Sequence, residues 1–205
     1  MTDEGAKAPS PRLLAARLGI GLAQGFALYA VDHWSKELPA VWLGTLMALA
    51  VLTPVVALGS LGVLRRRALL AWLAAALLIS AGLGGYAAFV AGSRVAGHYD
   101  DYIPAILFTG AALFILHHLI VPADAERRWR ASYERYFDEG WKDAVRLAFA
   151  GLFVGALWLL LHLGASLFEL IGLKFLRTLI QKPWFAFPAS ATFFAAWKLP
   201  RSAID

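Results

Sequence analysis

The side chains best suited to acid–base or metal chemistry in this sequence are the histidines and the carboxylates near them. Residues 97–102, GHYDDY, place His98 beside Asp100 and Asp101. One imidazole and two carboxylates could ligate a divalent cation or form an acid–base pair. The alternative is a solvated loop whose acids cap a helix. The sequence contains no H-E-x-x-H, G-x-S-x-G or Walker-type motif. We therefore assign no catalytic residue, no metal ligand and no cofactor.

Three of the other histidines also fail to converge on one ligand position. His117 and His118 are adjacent, so on a helix they point about 100° apart, and His162 lies in a different hydrophobic segment. We expect each to pack inside a membrane with a hydrogen bond to a neighbour. The five long hydrophobic segments contain no Asp or Glu, although buried carboxylates commonly carry protons in coupled transporters. Gln24 and Pro54 are the features on which a transport site would depend.

The elements that must position these residues are membrane-spanning helices. The chain is 60% hydrophobic and 16% charged, with a mean hydropathy of +0.64, which is far from a typical soluble composition. Without cysteine, it has no disulfide or thiolate. The sequence predicts an all-α polytopic transmembrane bundle with five full spans and a short or truncated sixth. Residues 1–12 are predicted to form a disordered cytoplasmic arm, and residues 13–205 a single transmembrane domain. The predicted spans of this domain cover about 18–31, 41–64, 68–92, 103–122, 147–168 and 184–197.

Residues 123–143, ADAERRWRASYERYFDEGWKD, hold a third of all charged side chains. At helical spacing their aromatic residues share one face and most charges cover the other. This pattern predicts an amphipathic helix over about 124–140 at the cytoplasmic membrane surface, held by aromatic burial. A loop helix packed on the bundle and a docking surface for a partner protein are the alternatives. The predicted interface anchors are Trp129, Tyr133, Tyr136, Phe137, Trp141 and, near the sixth segment, Trp184.

Two glycine pairs have the spacing that lets membrane helices approach closely. Gly21 and Gly25 lie in the first predicted span, and Gly151 and Gly155 lie in the fifth. We predict helix packing at all four positions. The run of glycines within residues 82–85 predicts a further close contact or a hinge.

The distribution of Lys and Arg predicts the orientation. With the amino terminus inside, 14 of the 19 basic residues fall in cytoplasmic segments and five fall outside. The chain is therefore expected in a bacterial inner membrane with its amino terminus in the cytoplasm. Basic residues on the cytoplasmic side of the lipid bilayer account for the net charge of +5. The charge therefore does not require a nucleic-acid partner.

Residues 125–188 resemble a bacterial membrane protein family, domain of unknown function 4153. The resemblance rests on the runs ERRW at 126–129, YF at 136–137, WK at 141–142, LFELIG at 167–172 and PWF at 183–185. It implies a multi-span inner-membrane protein and supplies no activity and no catalytic residue. Members are usually longer, with further hydrophobic segments, so the resemblance predicts that this chain is a truncated or frameshifted member.

These observations favour a non-enzymatic integral membrane component, an accessory or scaffold for other membrane proteins. A channel or transporter for a small solute is the alternative.

Overall fold

The computed structural model describes residues 11–91, 103–128 and 131–196. Every regular element in these three ranges is an α-helix, and we number the helices in chain order. They are α1 (Pro11–His33), α2 (Ala40–Ser60), α3 (Arg66–Ala91), α4 (Ile103–Glu126), α5 (Tyr133–Leu170), α6 (Phe175–Ile180) and α7 (Pro183–Ala196). Residues 1–10 of the predicted arm lie outside the described residues, whereas Pro11 and Arg12 already belong to α1.

Five of these helices, α1 to α5, are long and apolar enough to cross a membrane. A helix satisfies its own backbone hydrogen bonds, which hydrocarbon demands. The 14 residues of α7 rise about 21 Å, less than the roughly 30 Å of a hydrocarbon core. The predicted all-α bundle with five spans and a short sixth helix is confirmed.

Helix α2 is the central element of the described bundle, because α1, α3 and α4 all contact it. The larger core cluster joins α2, α3, α4 and the link after α2 through Ala48, Leu52, Val56, Leu64, Trp72, Ala76 and Leu113. A smaller cluster joins α1, α2 and α3 through Val31, Leu43, Met47 and Ala88.

The closest approach of α2 and α3 occurs at small residues. A Cβ added to Gly84 would lie 2.6 Å from Ala48 Cβ and 2.8 Å from the Gly44 carbonyl oxygen. Lipid provides little hydrophobic force between helices, so such close packing is what joins them. The glycines within residues 82–85 therefore include a contact site between α2 and α3.

The structure differs from the prediction of a separate amphipathic helix over residues 124–140. The first residues of that segment end α4, and Tyr133 begins α5, which continues through Gly140 to Leu170. A Cβ on Gly140 would lie 3.8 Å from His118 Cδ2, so this glycine faces α4. Gly140 therefore lies inside a continuous helix of 38 residues and does not end it.

Three segments meet at one end of the bundle, which we call the arginine-rich end: the start of α1, the α2–α3 link and the α4–α5 link. Leu13 lies against Gly62, with 3.2 Å between Leu13 Cδ2 and a Cβ built on the glycine. Arg17 donates a hydrogen bond to the Leu61 carbonyl, and Arg65 pairs with Asp124. Three of the predicted cytoplasmic segments thus lie together in space.

Candidate functional site

The most extensive polar contact at the arginine-rich end joins the α2–α3 link to α4. The Arg65 guanidinium donates to Asp124 Oδ1, at 2.7 Å from Nε, and the Arg65 backbone N–H donates to Oδ2 at 3.1 Å. The hydrogen bond to this carboxylate raises the pKa of Arg65 above its ordinary value. The carboxyl side chain is 8% exposed, against 57% for the arginine. Asp124 is therefore a satisfied structural acid.

A second polar contact joins α4 to α5. His118 Nε2 lies 3.4 Å from Asp143 Oδ2, and Asp143 Oδ1 accepts a hydrogen bond of 2.7 Å from Arg146. His118 Nδ1 lies 2.7 Å from the Phe114 carbonyl oxygen. Because a carbonyl only accepts, Nδ1 carries a proton, and a hydrogen bond to Asp143 requires a second proton on Nε2.

The adjacent His117 uses its ring differently. Trp72 Nε1 on α3 donates to His117 Nδ1 across 3.2 Å, and both side chains are buried. His117 therefore contacts α3 while His118 contacts α5, as expected for adjacent residues on one helix. The predicted role of these histidines in packing agrees with these contacts. The third histidine, His162, instead lies exposed on α5.

A cleft of about 860 Å³ opens between α3, α4 and α5 at the arginine-rich end. We call it the arginine-rich cleft. The residues that line it include the basic Arg65, Arg127 and Arg128, the acidic Asp124 that pairs with Arg65, and the apolar Leu116, Leu119 and Ile120. A smaller recess of about 300 Å³ adjoins it beside Arg66 and Arg67. Positive charge above an apolar wall suits an amphiphile with an anionic head.

The backbone that carries Arg127 into the arginine-rich cleft is unusual. Arg128 N–H donates to the Ala123 carbonyl and Arg127 N–H donates to the backbone carbonyl of Asp124, which is the Schellman pattern that ends a helix. Its left-handed residue is normally glycine, as at Gly172 after α5, where φ is +84°. Here Arg127 takes φ +52°. A non-glycine residue in this region costs about 1–2 kcal/mol.

The predicted aromatic anchors occupy two ends of the bundle. Tyr133, Phe137 and Trp141 are 81%, 62% and 64% exposed and follow one another at helical spacing on the first turns of α5. Tyr136 is half-buried, lines the arginine-rich cleft, and accepts a hydrogen bond of 2.8 Å from Ala131 N–H. Trp184 is 51% exposed at the start of α7. Trp129 lies outside the described residues, as do His98, Asp100 and Asp101.

The two glycine pairs have different surroundings. A Cβ on Gly21 would lie 2.5 Å from Ala195 Cβ, and one on Gly25 would lie 2.3 Å from Pro188 Cα, so α1 and α7 touch there. No atom outside the local helix backbone lies within 4 Å of a Cβ on Gly151 or Gly155. No described helix lies close to this second pair, so the predicted packing there stays a prediction. The physical reason is the position of α5 at the edge of the bundle.

Gln24 is the polar side chain most deeply placed in α1. It is 7% exposed, and its Nε2 donates to the Val51 carbonyl on α2 across 3.1 Å. Its Oε1 is buried and accepts no hydrogen bond from the described residues. Sequence analysis identified this residue but not its partner on α2.

The comparisons with known proteins identify no relative of this chain. No protein-family model, no curated protein and no solved structure matches this chain. The resemblance of residues 125–188 to domain of unknown function 4153 therefore stays a prediction.

Proposed function

We propose that this protein is a non-enzymatic integral membrane component, an accessory or scaffold that binds another membrane protein through α5. The observation that carries the proposal is the exposure of this helix. In its most apolar window 6% of the residues are buried, against 22–39% in the other four spans. A helix that contributes so little to its own bundle is available for contact with a second protein.

Polar groups on the exposed side of α5 support a protein partner over lipid alone. His162 is exposed, and its Nδ1 lies 2.9 Å from the Trp158 carbonyl oxygen, so Nδ1 donates and Nε2 is left as an acceptor. Ser166 lies one turn further and is also exposed. A polar group that faces hydrocarbon is costly, whereas a neighbouring transmembrane helix can donate to it. Gly151 and Gly155 share this side of α5 and would allow a close approach.

We further propose a bacterial inner membrane, with the arginine-rich end in the cytoplasm. The support is the concentration of arginines at one end of the bundle, which is the usual mark of the cytoplasmic side. Reporter fusions placed after Arg67 and after Asp143 test this orientation. Both fusions are expected to report the cytoplasm, and an external report from either would refute the assignment.

Site-specific photocrosslinking in native membranes tests the accessory role. A photoreactive residue replaces Leu159 on α5, whose side chain is 70% exposed, and the matched control replaces Leu78 on α3, which is 75% exposed. We expect a discrete protein adduct from position 159 and lipid adducts alone from position 78. Mass spectrometry of the adduct identifies the partner.

A second substitution makes the crosslinking result specific. Gly155→Leu adds a bulky side chain on the same side of α5, where the described structure has free space. It is expected to abolish the adduct from position 159 while the variant itself still folds. If positions 159 and 78 give the same adducts, or if Gly155→Leu leaves the adduct unchanged, the accessory proposal is refuted.

A small-solute channel or transporter is the second candidate, and Gln24 favours it. Its buried Oε1 has no donor among the described residues, which is the kind of group that binds a solute or water in a membrane protein. Flux of radiolabelled amino acids, sugars and inorganic ions into proteoliposomes measures this activity directly. A transporter predicts flux that falls by at least about tenfold in Gln24→Leu, which corresponds to about 1.4 kcal/mol. No flux in the wild-type protein would eliminate this candidate for the solutes tested.

A further inference from the structure

The arginine-rich cleft has the features of a specific lipid site. We propose that it binds the phosphate headgroup of one anionic phospholipid and that an acyl chain of this lipid lies along α4. This inference goes beyond the accessory role, because it names a ligand and a site that do not involve the exposed side of α5.

The first step concerns charge. Asp124 is occupied by Arg65, which neutralises that arginine. Of the other arginines that line the arginine-rich cleft or its adjoining recess, none forms an ion pair within 4 Å with a carboxylate in the described part of the chain. These arginines are Arg66, Arg67, Arg127 and Arg128. Among them, Arg127 lies near enough to Asp124 to add to the effect of Arg65, which lowers the pKa of that carboxyl. Two of these exposed arginines line the cleft and the other two line the recess beside it. Positive charges at this spacing attract an anion, and guanidinium groups match the geometry of phosphate oxygens.

The second step concerns hydrophobicity. Below the arginines, the cleft is walled by Leu116, Leu119 and Ile120 of α4, and Leu119 is 49% exposed. The distance along α4 from Leu116 to Arg127 is about 16 Å, which accommodates the upper part of an acyl chain. Inorganic phosphate makes no favourable contact with apolar side chains, whereas a phospholipid carries both an anionic headgroup and an acyl chain. The combination of basic residues and an apolar wall therefore favours a lipid over a free anion.

The third step concerns the strained residue. Glycine would end α4 without the left-handed penalty that Arg127 bears at φ +52°. An arginine there weakens the fold and places a basic residue in the lining of the arginine-rich cleft. Strain of this kind is concentrated at functional sites, where a ligand contact offsets it. Headgroup binding supplies such a contact.

Tyr136 offers a neutral donor on the α5 side of the same cleft. Its hydroxyl accepts from Ala131 N–H, which leaves its own proton available to donate. A phosphate oxygen in the cleft would be a suitable acceptor. This half-buried residue thus has a binding role that its exposed neighbours Tyr133 and Phe137 do not share.

Native mass spectrometry of the intact protein in detergent tests the site by titration with phosphatidylglycerol, with phosphatidylcholine as the zwitterionic comparison. We expect one phosphatidylglycerol molecule to be retained at concentrations at which phosphatidylcholine is lost. Arg128→Gln is expected to weaken phosphatidylglycerol binding about fivefold, as the loss of one basic residue near a headgroup implies. Arg12→Gln is the matched control, because it removes the same charge from an exposed residue near the start of α1 and outside the cleft lining.

Arg127→Gly separates binding from folding. It removes a guanidinium group and also the left-handed strain, so phosphatidylglycerol binding should fall about fivefold while the melting temperature in phosphatidylcholine nanodiscs stays equal or rises. A merely structural arginine predicts the same melting temperature and no change in lipid binding, which would overturn the proposal.

Two further outcomes would also overturn it. Equal weakening by Arg12→Gln and Arg128→Gln would mean general attraction to a charged surface. Full displacement of the retained lipid by an equimolar amount of inorganic phosphate would mean a free-anion site. Retention of the lipid against that phosphate supports the lipid assignment.

Discussion

The contact between α1 and α7 makes Gly25→Ala the sharpest test of the fold. The added Cβ would lie 2.3 Å from Pro188 Cα, 2.7 Å from Pro188 N and 3.0 Å from Phe187 C. All three are backbone atoms, so no flexible side chain can turn away. Since ordinary contact begins at 3.4 Å, the two helices must separate by about 1 Å. Overpacking of this kind costs about 1–3 kcal/mol.

The expected change in the free energy of unfolding combines the overpacking cost with a gain in helix propensity. Alanine favours a helix over glycine by about 1 kcal/mol, which opposes the overpacking. We therefore expect Gly25→Ala to lower the free energy of unfolding by up to about 2 kcal/mol, with the smallest loss if α7 moves away easily. Reversible unfolding in mixed micelles, with helicity followed by circular dichroism during titration with sodium dodecyl sulfate, measures this quantity.

Gly155→Ala is the matched control for this measurement. The chemical change and the helical setting are the same, but no atom outside the local helix backbone lies within 4 Å of the new Cβ. We expect unchanged stability or a gain of up to about 1 kcal/mol. If neither substitution lowers the stability, the close approach of α1 and α7 is wrong. If both lower it equally, the position of α5 at the edge of the bundle is wrong.

Three other substitutions test single contacts with the same unfolding measurement. Trp72→Phe removes the buried hydrogen bond to His117 Nδ1 and should cost about 1–3 kcal/mol, whereas no loss would refute that contact. Trp158 Nε1 donates to Ser190 Oγ across 2.9 Å, and a double-mutant cycle with Trp158→Phe and Ser190→Ala should give a coupling of about 0.6 kcal/mol; a coupling of zero would contradict the α5–α7 contact. Gly62→Ala places a side chain at φ +82° and should cost about 1–2 kcal/mol, and an unchanged stability would exclude the left-handed turn.

The candidate site was only partly accessible to sequence analysis. Arg65, Asp124, His118 and Asp143 were visible as charged or titratable residues, but their pairing joins positions up to 59 residues apart. The charge pattern of residues 123–143 instead predicted one interfacial helix. That pattern is ambiguous, because it also arises where one helix ends, a short link follows and a long helix begins. The left-handed Arg127 had no sequence signal at all, since glycine is the usual marker of such a turn.

The sequence by itself determined that the chain forms membrane-spanning helices and where each apolar run lies. The physical reason is local: hydrocarbon requires backbone groups to bond within their own segment, and helix length follows from bilayer thickness. Only the tertiary structure decided which glycines touch a neighbour. Gly21 and Gly25 face α7, while Gly151 and Gly155 face no described helix, although the spacing is identical. Helix contacts in lipid depend on shape and not on hydrophobicity, so the same local motif packs in one helix and stays exposed in another.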